Sequence, residues 1–311
     1  MRIKFWGVRG SIPCPGPQTV GYGGNTMCIE IRFDNPDRLF VVDAGSGIRE
    51  LGNDIMKKDH PKGPIKMDLL LTHTHWDHIM GFPFFAPLFI PDTELRVFGP
   101  VEFIKNEKLE KIVGGQLEYK YFPINHGELR SSIEYIDSKE GVIDLGYDEI
   151  KLTAKYLNHP IRCFGYKFEY KDKIVCTAYD TEPFRNLFFL SPDDPAYDES
   201  RCREGEEIAD KMNQEVSDFF AGADLLIHDA QYTEEEYNES KVGWGHTPME
   251  YAIRAAKKAG VKKLALIHHE PLYSDEKIDG LSEKLCNSSD LEGMQVFFVK
   301  EGMEIDISHE E

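Results

Sequence analysis

Met67-Asp68-Leu69-Leu70-Leu71-Thr72-His73-Thr74-His75-Trp76-Asp77-His78 occupies residues 67–78. An apolar run of strand length leads straight into three imidazoles and a carboxylate, a metal-binding set at the mouth of a buried strand. Alternate side chains of an extended segment share a face, so His73 and His75 can grip one ion. Asp77 and His78, where the chain turns into a helix, can reach a second. The spacing therefore suggests two metals. A histidine-rich surface loop is the plain alternative, but only 11 histidines serve all 311 residues. A neutral imidazole at His75 suits zinc, whereas a carboxylate there would lean toward iron and redox chemistry.

His-x-His-x-Asp-His after a hydrophobic strand resembles the signature of the metallo-β-lactamase superfamily of metal-dependent hydrolases. The resemblance implies two further histidines and a bridging carboxylate, in order, each after a strand-like run. The run 151–158 leads to His159, 173–179 to Asp180 and 263–267 to His268. Carried over residue by residue, the pattern implies His73, His75 and His159 on one ion, Asp77, His78 and His268 on the other, and Asp180 bridging. His268 is chosen over His269 because it comes first after its strand, and His269 is expected to pack or bond locally. The implied cofactors are two divalent ions, zinc or manganese.

The glycine-rich stretch Gly7-Val8-Arg9-Gly10-Ser11-Ile12-Pro13 and Tyr22-Gly23-Gly24-Asn25-Thr26 allows close backbone approach to a ligand, or simply a tight turn. With Val41-Val42-Asp43-Ala44-Gly45-Ser46-Gly47 it resembles the opening of the phosphodiesterase branch of the superfamily, which includes ribonuclease Z. There the aspartate matching Asp43 supports the metal-binding histidines from behind; read locally, Asp43 is equally an N-cap for a helix starting near Ser46. Leu226–Tyr232 resembles the branch's strand-end carboxylate motif, and Gly243-Trp244-Gly245-His246-Thr247 resembles its His-x-Thr segment, without the intervening residue. The resemblance implies that His246 protonates the leaving group and that Asp229 orients it and raises its pKa. Asp77, as a ligand, completes the catalytic set. The alternative is that His246 merely precedes a helix cap at Thr247.

Composition restricts the partners. A formal net charge of −19 argues against a broad basic surface for nucleic acid. Acidic runs such as Thr233–Glu236 and the tail 309–311 read as solubilising surface. No apolar run reaches the roughly 20 residues of a membrane-spanning helix, and Met1–Gly7 enters an alternating strand at once, which points away from a secretory signal. The expected setting is cytoplasmic. Six cysteines with no Cys-x-x-Cys pair suggest reduced thiols, mostly buried.

Strand patterns fall near 2–8, 27–33, 38–43, 67–72, 94–98, 149–157, 163–170, 173–177, 223–228, 262–267 and 294–299. Helical periodicity falls near 46–58, 101–113, 205–221, 247–259 and 275–286, the fourth opening on Thr247 as cap with Pro248 at the first helical position. The stretch 182–204 reads as a long loop, either a lid whose Arg185 meets a substrate phosphate or a surface excursion with Phe188 and Phe189 tucked into the core. Because the implied ligands run from His73 to His268, one domain is expected over 1–311. Its fold class is α/β, a four-layer αββα sandwich, as the resemblance implies.

The expected function is hydrolysis of a small phosphodiester, such as a cyclic nucleotide. Bacterial ribonuclease Z carries a long arm for transfer RNA between the residues matching His159 and Asp180, where this chain has only twenty residues. A ribonuclease Z-like endonuclease, a glyoxalase-type thioester hydrolase and a non-catalytic binding module are the alternatives. A homodimer is common in the branch.

Overall fold

The computed structural model of the protein describes residues 1–35, 38–100, 107–188, 192–195 and 197–307. Its strands in chain order are β1 (Arg2–Gly7), β2 (Cys28–Arg32), β3 (Leu39–Val42), β4 (Lys66–Leu70), β5 (Glu94–Pro100), β6 (Ser132–Ser138), β7 (Gly141–Ile143), β8 (Ile150–Leu157), β9 (Cys163–Tyr170), β10 (Lys173–Ala178), β11 (Leu225–Asp229), β12 (Lys263–Ile267), β13 (Gln295–Phe298) and β14 (Glu304–Asp306). They form two sheets of seven strands. One has the order β14-β1-β2-β3-β4-β5-β6 and the other β13-β12-β11-β10-β9-β8-β7. Strands β3 to β6 and β10 to β13 are parallel within their sheets; the rest pair antiparallel.

The helices are α1 (Ile48–Lys58), α2 (Trp76–Ile79), α3 (Leu109–Gly114), α4 (Glu199–Phe220), α5 (Glu234–Glu236), α6 (Met249–Lys258) and α7 (Asp275–Cys286). Ile3, Phe5 and Leu70 from one sheet and Phe168, Leu225 and Ile227 from the other share a core between the sheets. Ile48, Leu51 and Ile55 of α1 pack outside the first sheet on Met67 and Leu69. Met249 and Ala252 of α6 with Ile278 of α7 cover the second on Leu226 and Leu264. A strand buried on both faces reads as an unbroken apolar run. That is why Leu69-Leu70-Leu71 is continuous, with Leu69 and Leu71 facing the helices and Leu70 the other sheet, while Asp68 before them is held by Arg38 and Arg96. The result is the expected αββα sandwich. Among the described residues no helix is long and apolar enough to cross a membrane.

Several expectations are corrected. β6, β7 and β14 were not predicted: β6 is an edge strand with mostly half-exposed or exposed residues, and the other two have three residues each, too short for periodicity. The helix expected over 101–113 starts only at Leu109, whose N–H donates to Asp137 (3.1 Å), and residues 101–106 lie outside the described residues. α1 starts at Ile48, because Ser46 bonds Thr26 and Asn25 instead of joining the helix. Asp43 is accordingly no N-cap. α4 starts at Glu199, capped by Asp198, so the loop expected to 204 ends sooner. Pro248, not Thr247, is the N-cap of α6, since the Thr247 hydroxyl donates to the Thr181 carbonyl.

Phe188 is 56% exposed rather than tucked into the core. Phe189 and the tail 308–311 lie outside the described residues. Arg185 pairs with Glu182 at 3.3 Å. All six cysteines are free, but only Cys28, Cys163 and Cys176 are buried.

Candidate metal centre

In open parallel sheets, ligands gather where the strands' carboxyl ends meet. Here the two sheets bring those ends together: β3 ends before Asp43, β4 before the 73–78 cluster, β10 before Asp180, β11 on Asp229 and β12 before His268. Asp43 (φ 62°), Asp180 (φ 39°) and His268 (φ 65°) all lie in the left-handed region that side chains other than glycine rarely adopt. Each is the residue at which the backbone leaves its strand and turns its side chain into one shared space, and strain of this kind concentrates at functional sites.

Two groups form there. His73, His75, His159 and Asp180 hold ligand-type atoms within 4.8 Å of one another, and so do Asp77, His78, Asp180 and His268. All seven residues expected to bind metal are thus brought together, with Asp180 common to both groups. A third group, Asp229, His246 and His268, adjoins the second. His269 points away and donates from Nε2 to the Val299 carbonyl (2.8 Å).

Hydrogen bonds behind the rings decide which nitrogen is left bare. His78 Nδ1 lies 2.7 Å from Asp43 Oδ2, so it donates there and its Nε2 faces Asp180 Oδ1 at 3.2 Å. His159 Nδ1 donates to the Gly245 carbonyl (3.0 Å), which aims its Nε2 at His75 Nδ1, 3.1 Å away. His268 Nδ1 donates to Gln231 Oε1 (3.1 Å), and its Nε2 stands 3.1 Å from Asp180 Oδ1 and 3.2 Å from Asp77 Oδ2. Each of these three imidazoles therefore has one nitrogen tied to the protein and one turned inward. His73 Nε2, His78 Nε2 and Asp180 Oδ1 are buried with no hydrogen-bond partner, although they lie near one another. Buried nitrogens and a carboxylate oxygen this close without hydrogen-bond geometry fit a cation between them.

Electrostatics agree. Burial holds His73 well below its ordinary pKa, lowers His75 and brings His159 to about 4, so these rings are neutral donors. Burial opposes ionisation of Asp180 and Asp77, but the surrounding histidines outweigh it and hold both carboxyls well below the usual range. Burial also disfavours charge on His78, yet Asp180, Asp77 and Asp43 around it raise it well above normal. The cluster demands positive charge at that point.

The polar residues holding this arrangement were only partly visible in the sequence. Thr72 donates its hydroxyl to Asp43 (2.8 Å) and lies 3.1 Å from His73 Nδ1. Ser11 N–H donates to Asp77 (2.7 Å), and Gln231 is itself held by Glu270 (2.8 Å). Buried Glu182 accepts from the N–H groups of Gly243 (2.7 Å) and Gly245 (3.0 Å) and from the Tyr237 hydroxyl. Nothing local marks Glu182, whereas Gln231 stands inside the quoted strand-end motif. His246 Nδ1 lies 3.2 Å from Asp229 Oδ2, and its ring stacks on His268 with centroids 4.9 Å apart. Burial works against the charged form of His246, but Asp229 prevails and raises its pKa to about 9.

A family profile described as Metallo-beta-lactamase superfamily matches residues 21–162, the part that contains β2 to β8 and five of the seven residues expected to bind metal. Over residues 21–162 the chain is similar to the metallo-β-lactamase superfamily. A ribonuclease Z of Lactococcus lactis is 28% identical over 304 residues, 88% of this chain and 90% of that protein. Among solved structures, the metallo-β-lactamase fold protein YhfI of Bacillus subtilis aligns with a TM-score of 0.62 at 17% identity, over 98% of this chain and 99% of that one. A diphosphatase of the PhnP family aligns with a TM-score of 0.62 at 15% identity, over 99% and 98%. The fold of these structures thus extends over the described chain, and the relative matched over most of its length is a ribonuclease Z.

Proposed function

We propose that this protein is a metal-dependent phosphodiesterase, one domain over residues 1–311, that hydrolyses a small phosphodiester such as a cyclic nucleotide in the cytoplasm. The observation that carries this is the pair of ligand groups sharing Asp180 with the His246–Asp229 pair beside them. His73, His75 and His159 would hold one divalent ion, Asp77, His78 and His268 the other, with Asp180 between; zinc suits this nitrogen-rich set and manganese is the second choice. Ions bound there supply Lewis-acid stabilisation of a phosphoryl group and lower the pKa of an attacking water.

The chain's own residues do the rest. Asp43, Gln231 and the Gly245 carbonyl fix the tautomers of His78, His268 and His159, so the ligand lone pairs need no reorganisation. Asp229 accepts a hydrogen bond from the Nδ1–H of His246, which leaves Nε2 to carry a proton toward the leaving alkoxide. The names of its relatives favour ribonuclease Z activity as a second reading. Against a transfer RNA substrate stands the interval between His159 and Asp180, which β9 and β10 fill as a hairpin from Cys163 to Ala178 joined across Lys171 and Asp172, together with the −19 charge.

The test is metal analysis of the purified protein followed by a panel of cyclic mononucleotides, cyclic dinucleotides, 2′,3′-cyclic nucleotides and precursor transfer RNA with zinc and with manganese. Turnover of a small diester is the expected result. Cleavage of precursor transfer RNA alone establishes the second reading. Thioesterase activity without phosphodiesterase activity would put the chain with the glyoxalase type, and a metal-free inert protein would make it a binding module.

A further inference from the structure

Of the three tryptophans, Trp6 is tied down by a hydrogen bond to Glu30, but Trp76 and Trp244 stand 66% and 55% exposed. Large indoles are usually mostly buried. These two lie beside the metal centre. Trp76 directly follows His75 and opens α2, while Trp244 directly precedes Gly245. One imidazole separates their neighbours, because His159 contacts His75 through Nε2 (3.1 Å) and the Gly245 carbonyl through Nδ1 (3.0 Å). The two indoles therefore start from backbone segments that flank His159.

The segment presenting Trp244 is fixed at both ends. Gly243 (φ 87°) and Gly245 (φ 85°) take left-handed conformations, and both donate their N–H groups to buried Glu182. A Cβ on Gly245 would stand 2.4 Å from His159 Nδ1, so only glycine fits. Just before it, Tyr237–Lys241 forms a π-helical turn, a distortion common at functional sites. This turn places Lys241 Nζ 4.0 Å from the Trp244 ring centroid and 5.3 Å from that of Tyr232. A rigid loop, a half-exposed indole and an ammonium on that ring make a platform for a flat, electron-rich group joined to an anion.

We infer that Trp244 with Lys241, and Trp76 on the other side of His159, form a stacking subsite for a nucleobase, so that the diester cleaved is a nucleotide. This rests on the phosphodiesterase reading for the reaction but not for the binding, and the two are separable by experiment. Binding of adenosine 5′-monophosphate and of ribose 5-phosphate, its counterpart without the ring, is measured on the metal-loaded protein by tryptophan fluorescence and calorimetry. Base stacking predicts that the nucleotide binds about tenfold or more tightly than the sugar phosphate. Trp244→Ala should bring the two probes to nearly equal affinity, and Trp244→Phe should restore most of the difference. On 2′,3′-cyclic AMP the loss in Trp244→Ala should fall mainly on KM. Equal binding of both probes by the wild-type protein, or unchanged discrimination in both Trp244→Ala and Trp76→Ala, overturns the subsite. Ring-dependent binding without turnover of any diester leaves the subsite standing and refutes the reaction instead.

Discussion

Asp229 controls His246 at the scale of single atoms. Its Oδ2 also accepts the Thr247 N–H (3.0 Å), so the carboxylate is fixed before it orients the ring. If His246 delivers the proton, His246→Ala should lose roughly a hundredfold in turnover on a diester with an alkyl leaving group. Its loss on bis(p-nitrophenyl) phosphate should be far smaller, because nitrophenolate leaves without a proton. Equal losses would make His246 a positioning residue. The pH dependence has a definite sign: an acid raised to about 9 is loaded below that pH, so the rate falls as pH climbs through it. In Asp229→Asn the raising charge is gone, and the alkaline limb of the kcat profile should move to lower pH. A limb that stays in place points to a different acid. At Asp180 the expectation is simpler. Asp180→Ala removes the one carboxylate common to both groups, so metal content and turnover should fall together, and wild-type activity in that variant would refute the shared centre.

At the scale of elements, the loops on either side press glycines against the ligand rings. A Cβ at Gly10 would lie 2.4 Å from His268 Nδ1, and one at Gly245 the same distance from His159 Nδ1. Gly10→Ala should thus weaken the group containing His268, and Gly245→Ala the group containing His159. Metal titration of each variant should find about half the wild-type stoichiometry retained; full stoichiometry in both would mean that the loops do not set the ligands. These contacts also show what the sequence can and cannot tell. The 73–78 cluster was readable because its members are consecutive and follow a strand buried on both faces. His159, Asp180 and His268 were readable because each ends a strand-like run. Glu182, Ser11 and the Gly245 carbonyl act through pairings more than sixty residues apart, and no local pattern records such a contact. The π-helical turn before Trp244 and the start of α4 at Glu199 escaped for a related reason, since the first is set by tertiary contacts and the second by one capping aspartate.

For the molecule as a whole, the centre is a seam between the two sheets. Asp43 and the 73–78 cluster come from the first, and Asp180, Asp229 and His268 from the second. Without cations, buried carboxylates and inward lone pairs face each other across that seam with partners missing. Bound metal should therefore stabilise the joint between the halves as well as the site. By mass action, a ligand at a thousand times its Kd adds about 4 kcal/mol, and for a chain of 311 residues each kcal/mol moves Tm by roughly 1.5 °C. Chelation should then lower Tm by about 6 °C, and zinc or manganese should restore it. His246→Ala, which leaves the ligands intact, should keep the metal-dependent rise, whereas Asp180→Ala should lose most of it. A Tm indifferent to chelator, in a protein shown to have released its metal, would mean that the seam is held by the apolar core alone and that the cluster serves only chemistry.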